Sequence, residues 1–252
     1  MTVIAIIFAI WRGTGLIIFF LKPEKHSTVT TNKNVSFASI LSEKSFLLYF
    51  IAWFMFPLVD RFEGALVVPF LTGWMPNLLD IMGVVEPLVG GLSILIAGLL
   101  CDWIGRKKIV LVGFVALGVA YAIIGLDPFS VISWYLYFIV DGVAWGIFLL
   151  IFVLILWGDL SQPGSREKYY ALGSVPFFLS YVIPQFLTES FVEQISLYAA
   201  FSLASFFLFV AVMPLMFAPE TLPEKKIELR RLRKFAEDAK KAKEKYERKK
   251  KS

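Results

Sequence analysis

The sequence predicts an all-α membrane protein with seven transmembrane helices. Hydrophobic residues make up 58% of the chain and the mean hydropathy is +0.73, whereas soluble domains are roughly 45–50% apolar. Apolar stretches of about 20 residues, the length needed to cross a bilayer core of about 30 Å, recur along the whole chain. The predicted spans are 1–21, 46–71, 80–102, 108–126, 131–157, 169–187 and 195–217.

The charges of the links between these spans alternate. The links without Lys or Arg are 72–79, 127–130 and 188–194. The links with Lys or Arg are 22–45, 103–108 and 158–168, and the C-terminal tail is also basic. Because cytoplasmic segments carry the Lys/Arg excess, we expect a multi-pass protein of the cell membrane with its N-terminus outside and its C-terminus in the cytoplasm.

The net charge of +5 originates in the tail. Residues 222–252 contain 14 Lys and Arg against six Asp and Glu. Strong helix formers and neighbouring Glu and Lys residues predict a solvated cytoplasmic helix there; a helix lying on anionic lipid is the alternative. We expect no nucleic-acid partner.

The sequence offers little for metal, redox or nucleotide chemistry. Cys101 is the only cysteine and His26 the only histidine, so an intrachain disulfide is excluded and a metal site is not expected. No nucleotide-binding loop is present. We therefore expect neither a cofactor nor an enzyme activity.

The link between the third and fourth spans is very short. It carries the pattern Gly98-x-x-x-Asp102-x-x-Gly105-Arg106-Lys107, so the two helices must lie antiparallel and in contact. Gly98 allows a neighbouring helix to come close, and Gly105 supplies the backbone freedom for the reversal. Asp102 is expected to reach the basic cluster and the free N–H groups that open the next helix.

This pattern resembles the cytoplasmic loop motif of the major facilitator superfamily of secondary transporters, with Trp103 where that family usually has a basic residue. Two further motifs are similar to those of its sugar-porter branch. Asp159 and Arg166, separated by six residues, resemble the Glu-x6-Arg motif with Asp in place of Glu. The segment 219–221, which contains Glu220, resembles the Pro-Glu-Ser/Thr motif that ends the branch's final helix.

In the family these motifs meet at the cytoplasmic ends of one half of the transporter and form an ion-pair network. The resemblance thus implies a cytoplasmic gate network that breaks when the inner gate opens; the alternative is a set of positive-inside anchors with incidental acids. The residues of this predicted network are Gly98, Asp102, Gly105, Arg106, Lys107, Asp159, Arg166 and Glu220.

The resemblance also implies a domain organisation. Residues 1–21 correspond to helix six of a twelve-helix transporter, 22–45 to the cytoplasmic linker, 46–221 to the six-helix C-terminal half bundle, and 222–252 to the tail. Because alternating access needs two bundles, we expect an N-terminal half from a separate chain or from the same gene, or else a homodimer.

Charged residues within the predicted spans are candidates for binding the solute or protons, since each costs roughly 2.5–3.5 kcal/mol at mid-depth on insertion scales. They are Arg12, Asp60, Arg61, Glu63, Glu86 and Asp141. By the resemblance, the second and fifth spans match helices that line the central cavity. Pro57 and Pro69 suggest a discontinuous second span.

Individual roles follow from chemistry. Asp60 and Asp141 are suited to accept protons, while Arg61 is suited to hold an anionic group or to pair with one of them. Alternatively, Asp60, Arg61 and Glu63 neutralise one another. We assign Trp134, Tyr135 and Tyr137 to an interfacial aromatic belt.

The Gly142-x-x-x-Gly146 spacing in the fifth span predicts a close contact with a neighbouring helix.

The expected function is secondary transport of a small polar solute across the bilayer, coupled to protons or another ion, for example by symport. The second span, which corresponds to the seventh helix by the resemblance, lacks the glutamine pair that sugar porters carry there. The solute is therefore not predicted to be a sugar. The alternative is a seven-span receptor or sensor. A retinal-type receptor is excluded, because residues 195–217 contain no lysine.

Overall fold

The computed structural model describes residues 35–162, 164–191 and 195–222, without the side chains of 183, 184 and 186–191. These residues belong to a compact unit that begins at Asn34. The described part of the chain is helical and has no strand, as predicted. The first predicted span, with Arg12, and the tail beyond Leu222 lie outside the described residues.

Each of the other six predicted spans coincides with a helix. In chain order the helices are α1 (Phe37–Leu41), α2 (Lys44–Trp74), α3 (Pro76–Ile104), α4 (Arg106–Leu126), α5 (Val131–Phe148), a π-helical segment (Leu149–Ile155), α6 (Leu156–Leu160), α7 (Arg166–Phe191) and α8 (Leu197–Phe217). The segments α5 to α6 form one continuous span, Val131–Leu160.

Five spans in the described residues are long and apolar enough to cross a membrane: α2, α3, α4, α5 to α6, and α8. The 26-residue helix α7 covers the sixth predicted span but is not among them, because serine, tyrosine, proline and glutamine residues reduce its hydropathy.

The helix boundaries follow from local chemistry. Pro76 starts α3 at a position where a missing N–H costs nothing. The hydroxyl groups of Ser130 and Ser196 accept hydrogen bonds from Ser133 N at 3.4 Å and Ala199 N at 3.3 Å, which caps α5 and α8.

Helix α2 differs from expectation, because it is continuous through Pro57 and Pro69. A discontinuous second span is therefore wrong. Prolines within membrane helices are tolerated where neighbouring groups satisfy the freed backbone atoms, and Pro57 is buried against the rest of the bundle.

The bundle is built from a few extensive helix contacts. Helix α8 packs on α4 and α2, α5 packs on α3 and α4, and α7 packs mainly on α2. Aromatic rings fill the centre between α2, α4 and α5. Phe148 lies 4.5 Å from both Phe56 and Phe114, measured between ring centroids, the spacing of attractive aromatic pairs.

Helices α3 and α5 approach each other closely at Gly142 and Gly146 of α5. A Cβ placed on Gly146 would lie 2.6 Å from the carbonyl oxygen of Gly90 and 2.8 Å from the Cβ of Ser93, both in α3. A Cβ on Gly142 would lie 2.9 Å from the carbonyl oxygen of Glu86. The sequence prediction of a close helix contact at this Gly-x-x-x-Gly pair is confirmed.

We therefore expect Gly146→Ala to lower the free energy of unfolding by about 1–3 kcal/mol, since the new methyl group meets backbone and cannot be accommodated without separating α3 from α5. Gly91→Ala is the matched control, because a Cβ there has nothing within 4 Å. Unfolding by a denaturing detergent, followed by circular dichroism, measures both variants. Equal stabilities would contradict the tight contact.

The π-helical segment interrupts the regular α-helical hydrogen bonding of the span Val131–Leu160, between α5 and α6. One of its freed carbonyls, that of Leu154, accepts a hydrogen bond of 2.7 Å from the Tyr170 hydroxyl of α7. Such segments are rare and frequently occur at functional sites. The neighbouring helix thus satisfies a backbone group that the π geometry leaves open.

Candidate functional site

The predicted site residues fall into two separate groups. One group surrounds the links 103–108 and 158–168 and residues 218–222 after α8, which we call the basic end. The other lies at mid-depth in the bundle. We call the opposite end, at Met75 and at residues 127–130, the far end.

At the basic end Glu220 caps helix α4. Its Oε1 atom accepts hydrogen bonds from the backbone N of Arg106 at 2.9 Å and of Lys107 at 3.4 Å, and Oε2 lies 3.3 Å from Lys107 N. Oε1 also accepts from the backbone of Thr221 and Leu222. A carboxylate at a helix N-terminus satisfies donors that have no partner within the helix and is favoured by the helix dipole.

Gly105 makes this contact possible. Its φ of +107° and ψ of 152° belong to a region that residues with a side chain avoid. A Cβ at this position would also overlap the Glu220 carboxylate. Glycine is therefore required twice, for the backbone turn and for the approach of Glu220.

Two cations extend the contact to neighbouring helices. The Arg106 guanidinium forms an ion pair with Asp159 at the end of α6. The Lys107 ammonium donates a 2.7 Å hydrogen bond to the carbonyl oxygen of Met216 in α8. Glu220, Arg106, Lys107 and Asp159 thus join α4, α6 and the end of α8, and we call these four residues the basic-end network.

Three members of the predicted gate network are placed differently. Asp102 does not occupy the N–H groups of α4, because Glu220 already does; its side chain is exposed and acts on Arg106 only through space. Arg166 is exposed and forms no hydrogen bond or ion pair within the described residues. Gly98 makes only an ordinary contact, 3.8 Å from a Cβ placed there to Leu150.

The second group contains four carboxyl groups that lie at similar depth. Glu63 lies 11 residues before the far end of α2, and Glu86 and Asp141 each lie 10 residues after the far ends of α3 and α5. At about 1.5 Å per residue these positions are about 15 Å from the far end, the middle of a bilayer core of about 30 Å. Asp60 lies about one turn of α2 closer to the basic end than Glu63 does.

These carboxyl groups are close enough to act on one another electrostatically. We call Asp60, Glu63, Glu86 and Asp141 the carboxyl cluster. Asp141 is 2% exposed and Glu63 is 7% exposed, so both are enclosed by this bundle alone. One oxygen atom each of Glu63, Glu86 and Asp141 is buried without a hydrogen-bond partner among the described residues.

Asp60 and Arg61 lie where the cluster meets the surface of the bundle. Asp60 Oδ1 accepts a 3.1 Å hydrogen bond from the Trp145 indole, and Asp60 Oδ2 lies 4.0 Å from Arg61 Nε. The Arg61 guanidinium lies 4.0 Å from the centroid of the Tyr181 ring and donates a 2.6 Å hydrogen bond to the Tyr181 hydroxyl. Mutual neutralisation therefore applies to Asp60 and Arg61, but no cation among the described residues contacts Glu63.

Sequence reasoning missed two tyrosines of this group. Tyr121 and Tyr137 are buried side by side, with their hydroxyl oxygens 3.3 Å apart, and both face Glu63. Assigning Tyr137 and Trp134 to an interfacial belt is wrong, because they are 3% and 0% exposed, whereas Tyr135 is well exposed. One signal could have identified these tyrosines: a buried tyrosine hydroxyl needs a hydrogen-bond partner, which the charged residues of the spans can provide.

Comparisons with known proteins place this fold. The sequence profile of the Major Facilitator Superfamily matches residues 65–248. The crystal structure of the human organic anion transporter MFSD10 (TETRAN) is similar, with a TM-score of 0.56 and 19% sequence identity over 73% of this chain. This chain covers 49% of the MFSD10 chain, so it spans about half the length of that transporter. A search of curated protein sequences gives no significant match.

The helical bundle, its membrane-length spans and the profile match over most of the chain agree with one another. The chain belongs to the Major Facilitator Superfamily.

Proposed function

We propose that this bundle is one lobe of an alternating-access carrier that moves a small polar solute across a membrane in exchange for, or together with, protons. The observation that carries the proposal is the burial of Asp141 and Glu63 at mid-depth with oxygen atoms that have no partner in the described residues. Ionisable groups at this depth are costly and are retained where they serve a pathway or a proton site.

Burial separates two roles within the carboxyl cluster. In a lobe without its partner, a side chain that contacts solute in the central cavity must still be exposed. Asp141 and Glu63 are enclosed by the lobe itself, which supports a role in binding protons rather than in contacting the solute. Tyr181 is exposed and Arg61 is partly exposed, which supports a role at the cavity surface.

The second lobe is part of the proposal. Two bundles that rock about a central site are how such carriers work, and this chain spans about half of the MFSD10 chain. A separate chain, the remainder of a longer gene product and a second copy of this chain are the three candidate sources of the other lobe. Chemical cross-linking in native membranes with a reagent that does not form disulfides, followed by mass spectrometry, shows which of the three sources supplies the second lobe.

The basic end is proposed to be cytoplasmic, because loop Lys and Arg accumulate on that side. The basic-end network then lies at the inner gate and belongs to one lobe. Exposed ion pairs contribute only about 0–1 kcal/mol each. Several partly buried contacts around one carboxylate can together bias a two-state gate by a few kcal/mol.

The test is solute-driven proton movement in sealed vesicles prepared from membranes of cells that express the full chain. A panel of anionic, cationic and neutral solutes is added outside, and the internal pH is followed with a trapped pH-sensitive dye. We expect at least one solute to move protons in these vesicles and not in vesicles from cells without the chain. Specific binding of a solute with no flux of solute or protons would favour the receptor alternative.

A further inference from the structure

The charged groups of the mid-depth site are arranged with the cation in front and the carboxyl groups behind it. The Arg61 side chain is 34% exposed and Tyr181 is 43% exposed, whereas the side chain of Asp60 is 17% exposed. Glu63 and Asp141 are more deeply buried still. A solute that approaches this surface of the lobe therefore meets the Arg61 guanidinium before it meets the carboxyl groups of Asp60, Glu63 or Asp141.

The guanidinium is held in place but keeps free donors. The Tyr181 ring packs against one face, the Tyr181 hydroxyl accepts from Nη2, and Asp60 flanks Nε. The Nε atom is buried and makes no hydrogen bond within the described residues, so the donors left for a ligand are those of the two Nη atoms that Tyr181 does not use. A guanidinium has five N–H donors in a rigid fork, so donors remain for a ligand, and the fork matches the two oxygens of a carboxylate.

The charge of the site depends on the carboxyl cluster. Four ionised carboxylates and one guanidinium give a net charge of −3, which repels an anion strongly at low dielectric. When all four carboxylates bind protons, the net charge becomes +1. Among the described residues, the other titratable groups that face this space are the hydroxyls of Tyr121, Tyr137 and Tyr181, so within this part of the chain the charge balance rests on the cluster and Arg61.

We propose that Arg61 and Tyr181 form the recognition site for a small organic anion, a carboxylate, and that protons bound by the carboxyl cluster are required for the anion to bind. This rests on the proposed transport function and adds the substrate class and the direction of coupling. Because linkage is reciprocal, anion and protons bind together and cross the membrane in the same direction. A cationic solute would instead compete with protons and move against them.

The test uses matched probes and native nanodiscs, which are cut from the membrane and retain any bound partner lobe. Benzoate, benzylamine and benzyl alcohol have the same ring and differ in charge, and their binding is measured by thermal shift and by proton uptake in weakly buffered solution. We expect benzoate to bind more tightly at pH 5.5 than at pH 8 and to take up protons as it binds. Benzyl alcohol should bind weakly at both pH values.

The variants are Arg61→Gln, Tyr181→Phe and the control Lys108→Gln, an exposed residue of the basic end. Arg61→Gln should weaken benzoate binding by about tenfold or more, because a charge-assisted hydrogen bond is lost. Tyr181→Phe keeps the ring and should weaken it a few-fold, whereas Lys108→Gln should bind as the unaltered chain does.

Three results would overturn the anion site: binding of benzylamine in preference to benzoate, benzoate binding that is unaffected by Arg61→Gln, and absence of binding by either charged probe. The first and second leave the proposed transport function intact if the vesicle experiment gives solute-driven proton movement. Failure of the vesicle experiment with every solute would instead remove the transport function itself.

Discussion

Asp141→Asn is expected to abolish uphill, pH-driven accumulation of the transported solute while exchange of solute across the membrane persists. Asparagine has nearly the same shape as aspartate, so the packing around this side chain, which is 2% exposed, is preserved. The amide cannot take up and release a proton during the cycle. Exchange at equal pH needs no net proton movement and therefore survives.

The measurement uses the solute that moves protons in the vesicle experiment, with uptake under an imposed pH gradient and counterflow without one. Asp80→Asn is the matched control, because it makes the same aspartate-to-asparagine change at an exposed position near the far end of α3. It should accumulate solute normally. If Asp141→Asn still accumulates solute against its gradient, Asp141 is not the coupling group, and Glu63→Gln is then the variant to compare.

The positions of the spans were predictable because hydrophobic length is a strong local signal. The predicted span 108–126 and helix α4 (Arg106–Leu126) end at the same residue, and Gly142 and Gly146 were correctly read as a close helix contact. These features depend on the chemistry of a single stretch. The continuity of α2 through Pro57 was not predictable, since it depends on neighbouring helices.

The arrangement of the charged groups was predictable only in part. Motif spacing identified Glu220, Arg106 and Asp159, which lie together, but assigned the α4 N–H groups to Asp102. Proximity along the chain favoured Asp102, whereas Glu220 reaches the same donors from the segment after α8, more than a hundred residues away. Tertiary packing likewise decides whether a charged side chain is enclosed, as Asp141 is, or partly exposed, as Arg61 is.

The polar tyrosines illustrate the same limit. An aromatic residue near a predicted helix end suits both an interfacial belt and a buried hydrogen-bonded site, because its ring is apolar and its hydroxyl is polar. Tyr135 is exposed and Tyr137 is buried although they are two residues apart. Residues two apart on a helix lie on different faces of it, and the face of α5 that carries Gly142 and Gly146 packs against α3.

Gly105→Ala is expected to give the largest loss of stability, about 2–4 kcal/mol in the free energy of unfolding. The methyl group must adopt a backbone conformation that is almost restricted to glycine, and it also overlaps the Glu220 carboxylate. Displacing Glu220 in turn leaves the N–H groups of Arg106 and Lys107 without their acceptor. Gly73→Ala, at a position with nothing within 4 Å of a Cβ, is the control and should change stability by less than about 1 kcal/mol.

A double-mutant cycle with Glu220→Ala separates the two causes. Glu220→Ala alone loses the cap of α4 and should cost about 1–2 kcal/mol. In the double variant no carboxylate remains to collide with the new methyl group, so only the backbone strain adds to the lost cap, and the combined cost is smaller than the sum. Strictly additive costs would show that Glu220 does not contact Gly105, and the basic-end network would then lack its central carboxylate.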